Sequence, residues 1–330
     1  MILRRTTMGL TPDSYQSVRF GMPQRIMSAD RLMQLAAGVG AAGAHGGMTD
    51  ISLDWARRTR RLKEELDMYL EIQTFLPCPD LGEGPRPDPA GFEHAVKVAK
   101  EAGATSLRVV CLLGRRYELM TSLADWKDAV AGFHRQIAAA VPIVERHRMP
   151  LGIENHKDWR VEQQVALLEQ YSSEYLGVCL DTGNNLAVLD DPIETVEKLA
   201  PWTFNVHFKD MAMEECESGF LLSEVPLGEG MLDMPRITGI IRRARPDVRF
   251  SLEMIVRDPL LVPCLTDRFW ASFDDVNGIH LARALSRIRT SRRGAPLPRI
   301  TGLDPDQRLA LEHELVDRSI KYAAEHLGLG

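Results

Sequence analysis

Glu154 in PLGIENH, Asp181 in LGVCLDTG, His207 in TFNVHFKD and Glu253 in RFSLEMI are metal-type ligands, each at or near the end of an apolar or β-branched run. Helical stretches separate the runs, and a parallel barrel aims such strand-end side chains at one shared mouth. Three carboxylates buried together would repel one another, a cost that a cation removes. One metal site is therefore expected from these four residues. Oxygen donors with a single imidazole suit one divalent ion, with Mn²⁺ preferred and Mg²⁺, Co²⁺ or Zn²⁺ as alternatives. None of the five cysteines joins the set. Cys78, Cys111, Cys179, Cys216 and Cys264 are scattered without a CxxC and read as reduced thiols.

A ketone oxygen and adjacent hydroxyl held on such an ion have a more acidic neighbouring C–H, and the enolate formed there is stabilised. Reprotonation of that enolate isomerises or epimerises, loss of a β-substituent eliminates, and loss of CO₂ reaches the same species. The placement of acids and bases decides among these outcomes. His156 follows Glu154 by two residues, so strand alternation puts both on one face, and it is the preferred general acid or base. Lys209 stands in the same relation to His207 and suits an oxyanion or carboxylate. The ligand carboxylates Glu154 and Glu253 complete the catalytic set. His45 and Gln73, from earlier strand ends, are expected to bind sugar hydroxyls. Trp159, with Phe220 and Trp270, is expected to supply an aromatic wall.

The elements that must position these groups alternate along the chain. Eight strand-like runs are separated by helical patterns, and right-handed crossovers between parallel strands close such a set into a (β/α)8 TIM barrel. The reading places a metal-dependent catalytic barrel at 1–258 and a C-terminal helical extension at 259–330, packed on the barrel or on a partner subunit. Residues 213–231 are too long for an ordinary connection and read as a hairpin-like flap, and the Pro/Gly-rich loop 77–89 is placed to cover the mouth. Hydrophobic residues make up 45% and charged residues 26%, which allows a sizeable core. A net charge of −6 without a long basic run argues against nucleic-acid and anionic-membrane surfaces. No apolar run reaches membrane-span length and the N-terminus lacks a secretory pattern, so a cytoplasmic location is expected.

The order Glu154, Asp181, His207 and Glu253 on strands five to eight, with VHFKD and the later LGEGMLDM, resembles the xylose isomerase-like barrel superfamily, often labelled sugar phosphate isomerase/epimerase. Where ketohexose epimerases of that group carry a His, a Glu and an Arg for substrate, this chain has Asn184, Arg160 and Met213; Asn184 is assigned to substrate binding. Asn184 also stands where endonuclease IV needs a histidine for its trinuclear zinc site. The HxKD form of His207 to Asp210 and the Glu-x-His of Glu154 to His156 are similar to lyase members, 3-oxo-isoapionate decarboxylase and the C-glycoside deglycosidase α-subunit. The resemblance implies a divalent-metal-dependent lyase acting on an oxidised (3-oxo) sugar, glycoside or sugar acid. A keto-sugar isomerase or epimerase is the alternative, and a non-catalytic metal-bound barrel subunit a second one. It also implies a small sugar-derived substrate and either a homo-oligomer or a hetero-oligomer with a small subunit.

Overall fold

Short apolar runs that pair edge to edge with one polarity cannot stop at a free edge without leaving backbone groups unpaired, and here they close on themselves. The computed structural model describes residues 5–21, 26–78, 86–290 and 295–330. Among these residues eleven strands are numbered in chain order: β1 (Gly9–Leu10), β2 (Gly43–Gly47), β3 (Tyr69–Gln73), β4 (Leu107–Val109), β5 (Leu151–Glu154), β6 (Leu176–Asp181), β7 (Thr203–Phe208), β8 (Asp210–Cys216), β9 (Gly219–Val225), β10 (Phe250–Leu252) and β11 (Leu260–Val262). Eight of them form a closed parallel barrel in the order β1-β10-β7-β6-β5-β4-β3-β2, with helices in the crossovers, which is the expected (β/α)8 architecture.

Local chemistry explains where the helices begin. Ser52, Asp88, Ser122 and Asp191 each accept a first-turn amide, and Pro89 and Pro192 occupy starts where their missing N–H costs nothing. The strands are short: β1 has two residues, and β5 stops at Glu154 rather than running on to His156. The barrel floor is filled by one large ring. A Cβ on Gly43 would lie 2.4 Å from Tyr69 Cδ1, so glycine is what lets that ring in, and Tyr69 Oη donates to the Phe250 carbonyl at 2.8 Å.

Two additions frame the mouth. β8 and β9 form the expected hairpin, and β11 adds to it as a third antiparallel strand, although it lies past residue 258, where the barrel was expected to end. Asp210 pins the return of this flap by accepting the amides of Gly228, Gly230 and Leu232 at 3.0, 2.9 and 3.1 Å. Gly228 has φ +82°, and a Cβ on Gly230 would sit 2.1 Å from Asp210 Oδ1, so both glycines are needed for that turn. Helix Pro305–His326 starts at an Asp304/Gln307 capping box and runs back along the chain's beginning, where Glu312 accepts from Ser17 N at 2.8 Å and Ser319 Oγ accepts from Leu227 N at 3.3 Å. No helix among the described residues is long and apolar enough to cross a membrane.

Candidate metal centre

Glu154 ends β5, Asp181 ends β6, His207 sits in β7 and Glu253 follows β10; because these strands pair in register, Glu154 lies beside Cys179, and Asp181 and Ser251 lie beside His207. All four side chains are buried, and one ligand atom from each falls within 4.8 Å of the others. His207 Nδ1 is 3.4 Å from both Glu154 Oε2 and Glu253 Oε1 and makes no hydrogen bond, an orphaned buried nitrogen aimed at two carboxylates. Burial and the neighbouring carboxylates Glu253 and Glu154 push the Asp181 carboxyl up to about 7, although Lys209 pulls it down. Burial opposes charging of His207, yet Cys179, Glu253 and Glu154 around it raise it well above its ordinary value. The cluster thus draws protons into the space where a cation would satisfy every group at once, and its donor set fits a divalent ion.

These side chains are braced from behind. Asn155 accepts the Asp181 amide and donates to the Asp181 carbonyl, both at 2.7 Å, while Asp181 Oδ1 takes the amides of Gly183 and Asn184 at 2.9 and 2.8 Å. Glu154 pairs with the Arg108 guanidinium and accepts from Asn184 Nδ2 at 3.0 Å. Burial alone would raise its pKa, but Arg108 and His207 hold it well below the usual carboxylate range. Lys209 Nζ lies 2.8 Å from Asp181 Oδ2 and 2.6 Å from Glu253 Oε2, with Asn184 Oδ1 at 3.2 Å. Asp210 is occupied by the flap amides and is not its counter-ion.

The remaining candidates fall in different places. β5 ends before His156, so alternation does not orient it; its ring is half-buried and Nδ1 donates to the Gly114 carbonyl at 3.1 Å. Burial, then the nearby Lys157 charge, lowers His156 to about 3. His45 is in the middle of β2, not at its end, fully buried with Nδ1 3.1 Å from His207 Nε2, so it supports a ligand rather than reaching open space. Gln73 ends β3, donates to the His45 carbonyl at 3.2 Å and lines a cavity of about 450 Å³ on the β1 to β4 side of the mouth. Trp159 is turned outward, packed on Trp126 and Phe133 with ring centroids 5.2 and 5.8 Å away. Phe220 is a buried residue of the flap strand β9, and Trp270 meets Phe269 edge-on with Nε1 donating to the Cys264 carbonyl. The loop 77–89 lies partly outside the described residues.

Sequence reading missed Arg108, Lys157, Glu224 and Glu71. Lys157 is buried against Asn184, with burial and the Lys209 charge lowering it to about 8. Glu224, on β9, reaches within 3.9 Å of Lys209 Nζ and pairs with Arg257 at 2.7 Å, so the flap places an acid at the centre. Glu71, in the alternating run YLEIQ, is the one with a readable signal, a lone acid between apolar neighbours. It stands 3.5 Å from His45 Nδ1, the same atom that faces His207 Nε2. Burial, only partly offset by His207, Ser106 and Ser251, raises Glu71 from 4.5 to about 8. A carboxyl with a raised folded pKa contributes its full stability below about 4.5 and loses it as pH climbs through 8. Glu71→Gln should therefore raise the Tm relative to the parent at pH 8 and change it much less at pH 5. Thermal melts at the two pH values check this, and a Tm that drops at pH 8 contradicts it.

Comparison with known proteins agrees with this architecture. The sequence pattern of the family described as xylose isomerase-like TIM barrel matches residues 33–268. The 3-oxo-isoapionate decarboxylase of Pectobacterium atrosepticum is 33% identical over 108 residues, 32% of this chain and 39% of that protein. The curated relatives that match are spanned over 39% and 51% of their lengths. Among solved structures, a xylose isomerase-like TIM barrel protein from Mycobacterium smegmatis in complex with magnesium superposes with TM-score 0.57 at 13% identity, covering 86% of this chain and 98% of that one. A D-psicose 3-epimerase in the presence of D-fructose gives TM-score 0.59 at 14% identity over 98% and 99%. At such identities these structures share the fold.

Proposed function

Because the chain belongs to the xylose isomerase-like TIM barrel family, we propose that it is a divalent-metal-dependent carbohydrate lyase working through the enolate of an oxidised (3-oxo) sugar, glycoside or sugar acid. The observation that carries this reading is the clustering of ligand atoms from Glu154, Asp181, His207 and Glu253, with His207 Nδ1 unbonded among them, next to a cavity of about 450 Å³. An ion held by these four residues, Mn²⁺ in our reading, supplies Lewis acidity at a ketone oxygen and its neighbouring hydroxyl.

The chain's own groups do the rest. Arg108 and Asn184 fix the Glu154 carboxylate. With Nδ1–H committed to Gly114, the His156 ring keeps the Nε2 lone pair for a proton leaving carbon. Lys209 offers its ammonium to the oxygen that gains charge or to the departing group, and Glu253 and Glu224 hold it in place. The flap limits water during the reaction. Similarity to a decarboxylase over 108 residues, together with His156 and Lys209 beside the ligands, supports a lyase over an epimerase.

Incubating the Mn²⁺-loaded protein with 3-oxo-glycosides and oxo-sugar acids, followed by mass spectrometry, tests the reading. A released aglycone or CO₂ is expected. A product of unchanged mass with altered configuration would make it an epimerase, and no product across the panel would favour a non-catalytic barrel.

A further inference from the structure

The cavity beside the metal centre is lined by three guanidinium groups, Arg19, Arg86 and Arg108, and among the described residues by no carboxylate. Such a concentration of positive charge stands out in a chain of net charge −6. Arg108 is neutralised by Glu154 and Arg19 by Asp13. The Arg86 guanidinium is held by neutral acceptors: Nη1 donates to Gln136 Oε1 at 2.5 Å and Nη2 to the Cys111 carbonyl at 3.2 Å. Those two bonds fix its plane and leave further N–H donors of the five on a guanidinium. A half-buried cation without a counter-ion among the described residues is costly, and an anionic occupant removes that cost through charge-assisted bonds.

We infer that Arg86 receives a carboxylate of the substrate, which makes the substrate a sugar acid that reaches from the metal centre into this cavity. The inference deepens the proposed function and rests on it for the metal end of the substrate. Arg108 belongs to both spaces, since it lines the cavity and pairs with Glu154, so the two ends share a wall. About 450 Å³ falls within the roughly 300–1,000 Å³ usual for ligand pockets. A carboxylate fits better than a phosphate for two reasons. Among the described residues one guanidinium is left uncompensated, which matches a single negative charge. Phosphate sites at helix starts use first-turn amides, and at the cavity rim Pro89 has none while Asp88 Oδ1 already takes Gly91 N–H at 2.7 Å.

Calorimetric titration of the Mn²⁺-loaded protein with D-gluconate, D-glucitol and D-glucitol 6-phosphate tests this without requiring turnover. Gluconate should bind about tenfold or more tightly than glucitol, as expected for a charge-assisted bond, and more tightly than the phosphate ester. Arg86→Gln should erase the preference for gluconate with metal content unchanged, and Arg86→Lys should retain part of it. The proposal is overturned if the parent binds gluconate and glucitol alike, if the phosphate ester binds best, or if the preference survives in Arg86→Gln, which would trace it to chelation at the metal. Loss of metal binding in the parent protein would instead count against the proposed function.

Discussion

Glu154→Gln is expected to weaken divalent-ion binding by at least about 100-fold and to bring turnover below detection while the barrel stays folded. Groups that merely support a ligand are already worth about 10- to 100-fold in affinity, and Glu154 is proposed as a donor itself. The substitution also removes the anionic partner of Arg108, which lies against the same carboxylate, so two effects on the site act together. The amide can still accept one bond, and the hydrophobic floor below is untouched, which argues for a folded variant. Calorimetric titration with Mn²⁺ alongside circular dichroism checks both parts. Unchanged affinity in a folded variant would remove Glu154 from the metal site.

His156→Ala is expected to keep the metal and much of the substrate affinity yet lower kcat by about 10²- to 10⁴-fold, the span usual for a general acid-base group. If the ring only supported Glu154, metal affinity would fall instead, so metal content and turnover must be read on the same variant. Lys209→Ala belongs beside it, because its ammonium bridges Asp181 and Glu253. Burial and Lys157 lower His156 to about 3, which keeps the ring neutral above pH 5. The rate profile between pH 5 and 8 should therefore carry no limb that disappears in His156→Ala. A His156→Ala variant with near-normal turnover and full metal would pass the role of base to Lys209 or to a ligand carboxylate.

The clustering of the quartet was legible because each of these residues interrupts or ends an apolar run, and a polar residue there has few uses other than facing a shared mouth. Alternation located Glu154 and Asp181 well, since both are the last residues of their strands. The same rule does not extend to His156, which lies past the end of β5, whereas Lys209, just past β7, does reach the cluster around His207. Trp159 sits in a loop whose course is set by the Arg160–Asp190 pair and the packing of Trp126, and neither contact leaves a mark in local sequence. Arg108 looks like a solvent-facing residue of a short strand until its partner Glu154 is seen across 46 positions. β11 carries too few residues to announce itself, and its place is set by pairing with β9.

Anomalous diffraction from crystals soaked in Mn²⁺ tests the central claim most directly. The account predicts one strong peak at about 2.0–2.4 Å from an atom of each of Glu154, Asp181, His207 and Glu253, with at least one coordination position open toward the cavity that Gln73 and Arg108 line. A peak elsewhere in the barrel, or an ion whose coordination is completed entirely by protein side chains, would contradict it.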